Sequence, residues 1–89
     1  MNLKKPHLKL HKINDQLVLD IDTYELTDII DDYLTEEGGI VYEFLQELPS
    51  EEYRTFRLFF NEKCSETQLI QLLENFTDNE LIDIVKFQS

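Results

Sequence analysis

Leu26, Ile29, Ile30, Tyr33 and Leu34 recur at the i, i+3, i+4, i+7, i+8 spacing that only a helix gathers onto one side. The stretch Asp22 to Leu34 therefore predicts an amphipathic helix. Asp22 is placed as its N-cap, with Glu25 three residues on completing a capping-box spacing, and Gly38-Gly39 supply the left-handed backbone of a C-terminal cap. Upstream, His7 to Ile13 alternates Leu8 and Leu10 against polar neighbours, as a half-exposed strand does. Asn14-Asp15 reads as a turn. Gln16 to Ile21 follows with Leu17, Leu19 and Ile21 on one face, apolar enough for a central strand.

Ile40 to Leu48 fits helix or strand on periodicity alone. Its β-branched and aromatic start, Ile40, Tyr42 and Phe44 around Glu43, favours strand. After a Pro49 to Glu52 turn, Tyr53 to Phe60 alternates Phe56, Leu58 and Phe60 against Thr55 and Arg57, which makes a hairpin. The competing reading caps a helix at Ser50 and runs it over residues 51–62. Ser65 and Gln68 begin a second amphipathic helix with Leu69, Ile70, Leu72, Leu73 and Phe76 on its stripe. Thr77-Asp78-Asn79 breaks it, and Leu81 to Phe87 is read as a final strand, with a last helical turn as the second choice.

The order after residue 15 is then β-α-β-β-α-β. A shift of 43 residues lays Leu26, Ile29, Ile30 and Tyr33 onto Leu69, Leu72, Leu73 and Phe76, so both helices carry the same stripe. This order resembles the split-βαβ, ferredoxin-like arrangement, with two helices on one face of an antiparallel sheet and an extra N-terminal strand. The expectation is a single α+β domain over residues 7–89 behind a flexible basic arm, residues 1–6. The alternative is an N-terminal hairpin followed by a mostly helical bundle. In the first arrangement the helices cover Leu17, Leu19, Ile21, Phe56, Leu58 and Phe60. The open face displays Val18, Asp20, Val41, Leu45, Tyr53, Arg57 and Phe59.

Charge changes this picture most. The chain has 19 Asp and Glu against 8 Lys and Arg, for a net charge of −11. From Asp22 to Glu52 there is no Lys or Arg, whereas Lys4, Lys5, Lys9 and Lys12 crowd one end and Arg54, Arg57 and Lys63 another stretch. Such a field repels nucleic acid and anionic lipid and speeds encounter with a basic protein. The apolar runs are short and interrupted by carboxylates, so no membrane span is expected, and the NLKKP start lacks the apolar core of a signal peptide. One cysteine excludes an internal disulfide framework and fits a reducing cytoplasm.

Candidate chemistry is sparse. Asp20-Ile21-Asp22 spaces two carboxylates two apart, without the rest of a calcium-loop pattern. His7 and His11 share a strand face but lack further zinc ligands. Cys64 precedes a helix whose positive end could lower a thiol pKa, yet no base is near in sequence, and a half-buried structural cysteine is the preferred reading. The only glycines are adjacent and follow a helix, so no phosphate loop exists. No cofactor, metal or catalytic role is expected.

The expected function is a small acidic antagonist, analogous in size and charge to toxin-immunity proteins and phage-encoded inhibitors. It would mask the basic surface of a nuclease or nucleic-acid-binding protein. Its contact residues are expected to be Glu25, Asp28, Asp31, Asp32, Glu36, Glu37, Glu43 and Glu47. The alternative is a homodimeric or scaffolding module associating through Val18, Leu45, Tyr53 and Phe59 on the open face.

Overall fold

Leu8 to Ile13 and Gln16 to Asp22 form two antiparallel strands joined by Asn14 and Asp15, both at positive φ, 51° and 66°. A two-residue turn of that kind matches the twist of the flanking strands and pins their register. In the computed structural model, which describes residues 3–49 and 54–88, these are β2 and β3. β1, Leu3–Lys5, precedes them; α1, Tyr24–Gly38, β4, Tyr42–Leu48, β5, Thr55–Phe60, α2, Glu66–Leu73, and α3, Asp78–Gln88, follow. The strands make one antiparallel sheet in the order β1-β2-β3-β5-β4. Among the described residues the protein is thus a five-stranded α+β fold with three helices.

Paired residues point to the same face. Leu8, Leu10, Leu19, Ile21, Leu58 and Phe60 meet the helices there, and Leu26, Ile30, Leu34, Leu69, Leu73, Leu81 and Val85 close over them. Phe56 and Leu17 are buried on the same face. On the open face Asp20 sits at the middle of β3. Arg57 Nε and Nη2 on β5 donate to its two oxygens at 2.7 and 2.9 Å, and His11 Nε2 on β2 lies 2.9 Å away. Burial alone would raise the Asp20 carboxyl, but the hydrogen bonds and charges of Arg57 and His11 outweigh it and hold it below the usual range.

Several expectations need correction. Leu3–Lys5 are not an arm: Pro6 and His7, the latter at φ 63°, turn β1 back onto β2, and Lys5 Nζ donates to Phe76 O at 3.0 Å. Residues 1–2 lie outside the described residues, as do Ser50 to Tyr53 of the expected turn and strand. Thr23, not Asp22, caps α1, its Oγ1 accepting from Leu26 N. The Asp22 carboxylate is taken up by His7 and Thr55 instead. Ile29, expected on the buried stripe, is 38 % exposed. α2 ends at Leu73, so Phe76 is buried from the connection beyond it rather than from the helix.

The largest correction is at the C-terminal end, where Leu81 to Phe87 belong to helix α3. A fourth strand of a ferredoxin-like order would pair beside β3. That edge is already filled by β2, whose two-residue connection closes with little entropy loss. Residues 78–88 therefore bury Leu81 and Val85 as a helix in the helix layer. Its start is a reciprocal box, with Glu80 N donating to Thr77 Oγ1 at 3.1 Å and Thr77 N to Glu80 Oε1 at 3.2 Å. The hairpin-and-bundle alternative fails because β4 and β5 pair along their length.

Two stability outcomes follow from these contacts. Thr77→Ala should cost about 1 kcal/mol in urea unfolding through loss of the α3 cap, with Glu80→Gln tolerated. Asp20→Asn should cost about 3 kcal/mol at pH 7, since it leaves Arg57 without its charge partner. Because the folded Asp20 pKa is depressed, the wild-type advantage exists above the unfolded value of about 4 and shrinks as pH falls through the folded one. Urea midpoints measured from pH 3 to 7 check the sign.

Candidate functional site

α1 is oriented by Leu26, Ile30 and Leu34, all buried in the core, and this decides where its carboxylates go. Glu25, Asp28, Asp32 and Glu36 follow at spacings of three and four residues, so they form one outer strip, all exposed, with Glu37 exposed beside its end. Asp31 is half-buried on a different line. It belongs with Tyr24, Asp28 and Thr35, a row pinned to the β4 side of the sheet at both ends. Tyr24 meets the Phe56 ring edge-on at 5.9 Å, and Thr35 Oγ1 donates to Ile40 O at 3.4 Å. Burial first, and then the charges of Asp32 and Asp28, push the Asp31 carboxyl up.

No ion pair joins α1's carboxylates to Lys or Arg among the described residues. Arg57 is committed to Asp20, Lys5 to Asp78 at 3.7 Å, and Arg54 to Glu47 at 3.3 Å. The Arg54–Glu47 pair is exposed on both sides and holds weakly. Glu36 and Glu37 lie at the negative end of the helix dipole, with no basic residue in the last turn. Local helix physics therefore disfavours Glu36 and Glu37 where they stand.

Glu43 and Glu47 lie on β4, apart from the α1 strip. A bulge between Tyr42 and Phe44 leaves Glu43 out of the pairing, where Asn61 Nδ2 donates to it. Glu43 lines an acidic recess of about 430 Å³ with Asp15, Glu62, Asn14, Gln16 and Asn61, which linear reading did not assemble. Glu47 pairs opposite Phe56 and so points to the helix side, toward the Tyr24 row of α1. The structure thus splits the eight predicted acids into an outer strip, a flank shared with β4 and an isolated Glu43.

The predicted self-association set does not form one patch. Val18 is fully buried. The bulge turns Leu45 to the helix side, opposite Leu58, and brings Phe44 to the open face instead. Phe59 remains on the open face, half-buried, its ring 5.5 Å from that of Phe44. Tyr53 lies outside the described residues. The face between them carries the Asp20–Arg57–His11 network rather than an apolar surface.

The other candidates resolve simply. His7 sits in the β1–β2 turn with Nδ1 3.1 Å from Asp22, away from His11 and its Asp20. Among the described residues no group of three or more His, Cys, Asp or Glu is placed to hold a metal ion. Cys64 is half-buried, and burial pushes its thiol up rather than down. Among the described residues no helix is long and apolar enough to cross a membrane. Comparisons with protein-family models, with curated proteins and with solved structures find no match to this chain.

Because its folded pKa is raised, Asp31 favours folding only while protonated, and that contribution is lost as pH rises through the folded value. Asp31→Asn should therefore stabilise the protein at pH 7 by about 0.5 kcal/mol, the scale of helix like-charge repulsion. The gain should close below about pH 4. Thermal melts of both proteins at pH 3.5 and pH 7 test this.

Proposed function

We propose that this protein is a small acidic antagonist that covers a basic surface on a nuclease or nucleic-acid-binding protein. The observation that carries the reading is the outer strip of α1, where Glu25, Asp28, Asp32 and Glu36 stand exposed without Lys or Arg partners among the described residues. Arg and Lys side chains of a partner would supply the missing counter-charge. The long-range field would raise the association rate, and close hydrogen-bonded pairs would slow release. Glu37 and Asp31 add the same sign on α1, and Glu43 and Glu47 carry it on β4, apart from the strip.

The reading places the protein in the reducing cytoplasm where it is made, consistent with its lone free cysteine. It takes β3, α1, β4 and β5 as the first part of a ferredoxin-like order, with β2 standing where the last strand would pair. Homodimerisation through the open face is the weaker proposal, resting now on Phe44 and Phe59 alone.

Capture with the tagged protein from its native lysate at low salt, followed by salt elution and mass spectrometry, should recover a basic protein. Asp28→Lys with Asp32→Lys should then weaken its Kd at least tenfold, about 1.4 kcal/mol, chiefly by slowing association. An unchanged affinity would remove α1 from the interface and with it the antagonist reading.

A further inference from the structure

The sheet has two edges, and they are built differently. β1 closes one edge with three residues, two of them lysines, followed by Pro6. Short length, lysine and proline are what keep an edge from recruiting another strand. β4 closes the other with seven residues, most of them exposed, and among the described residues pairs only with β5. In an antiparallel strand alternate residues direct both N–H and C=O away from their partner. Along β4 those groups face solvent with no strand, helix or loop of the described residues paired to them.

The side chains bordering this edge differ by face. On the helix side stand Leu45 and Glu47, the latter opposite Phe56, whose ring meets Tyr24 of α1. On the open side Phe44, 58 % exposed, and Leu48 alternate with Gln46. A strand laid along β4 would therefore meet carboxylates on one face and apolar side chains on the other. A second copy fits poorly. Antiparallel β4 pairing centred on Leu45 sets Glu43 opposite Glu47 twice, and each chain carries a net charge of −11. Directly opposed like charges destabilise a strand pair.

We propose that β4 is a strand-addition site for an extended basic segment of the partner, with Lys or Arg at alternate positions and apolar residues between them. Backbone pairing with β4 supplies the affinity common to strand-addition modules. Alternation supplies the specificity: basic residues reach Glu47, Asp28 and Asp31, and apolar residues pack on Phe44 and Leu48. This deepens the antagonist reading and rests on its premise of a basic partner, but it adds backbone pairing along the β4 edge to the charge contacts of α1.

The test uses three synthetic probes with the full chain: a nine-residue alternating Lys-Val peptide, the same peptide N-methylated at alternate residues, and a nine-residue Lys peptide. Amide shifts, hydrogen exchange and titration are recorded by NMR, with sedimentation of the protein alone. The expected result is protection of β4 amides by the alternating peptide, and at least tenfold weaker binding after N-methylation in either alternate register. Asp28→Lys with Asp32→Lys should weaken all charged probes, whereas Phe44→Lys should weaken only the alternating one. Equal binding of the three probes, with shifts confined to α1, overturns strand addition while leaving the acidic antagonist reading standing. No binding of the alternating peptide, or sedimentation as a β4-protected dimer, overturns it as well. Loss of the antagonist reading is registered separately, by indifference of the captured partner to the α1 charge reversal.

Discussion

The carboxylate of Asp20 ties the three middle strands of the sheet together. It sits on β3, receives a two-pronged Arg57 guanidinium from β5 and meets His11 from β2 on its other side. Its side chain is only 15 % exposed, so without these partners its charge would oppose folding. With them, it demands one register on each side of β3. A slip of one residue in either neighbour would turn its apolar set away from the core. The same register stacks Leu10, Leu19 and Leu58, all fully buried, under the helices. The polar clamp on the open face and the apolar row beneath it thus specify the same pairing, and each would be unfavourable in any other.

What the linear sequence made legible is what local pattern determines. Leu8 and Leu10, then Leu17, Leu19 and Ile21, alternate strongly enough to define β2 and β3, and Leu26, Ile30 and Leu34 define the buried side of α1. The β4–β5 hairpin followed from the alternation of Phe56, Leu58 and Phe60. The final helix did not, because Leu81, Ile82, Ile84 and Val85 suit either state and the deciding fact is non-local: β3 had no free edge left. A local signal was nonetheless present in Thr77 and Glu80, the spacing of a capping box. The Tyr42–Phe44 bulge leaves no such trace, and its effect is total, since one extra residue exchanges Leu45 for Phe44 on the open face.

The acidic run was legible as charge but not as geometry. Sequence spacing placed Glu25, Asp28, Asp31 and Asp32 on one side of a helix. The structure separates Asp31, half-buried toward β4, from an outer strip that Glu36 continues. Tyr24 and Phe44, the most exposed aromatic side chains near this region, escaped notice because each was absorbed into a pattern, a helix start and a strand alternation. Which acids act together is a tertiary property, set by the contacts of Tyr24 with Phe56 and of Thr35 with Ile40 that pin α1 to the β4 side.

Two unfavourable features remain in the fold. Glu36 and Glu37 stand against the helix dipole, and Asp28 and Asp32 repel each other one turn apart. The seven-residue β4 edge likewise has backbone groups that no strand of the described residues pairs. Elsewhere the fold relieves such strains: Arg57 and His11 neutralise Asp20, Lys5 reaches Phe76 O and Asp78, and Thr77 with Glu80 satisfies the start of α3. Solubility would account for the charges, and edge protection for Glu43 and Glu47, but neither accounts for an open edge longer than the lysine-rich one. On the proposed reading, a positively charged extended segment would compensate both features at once, the exposed charges and the open edge.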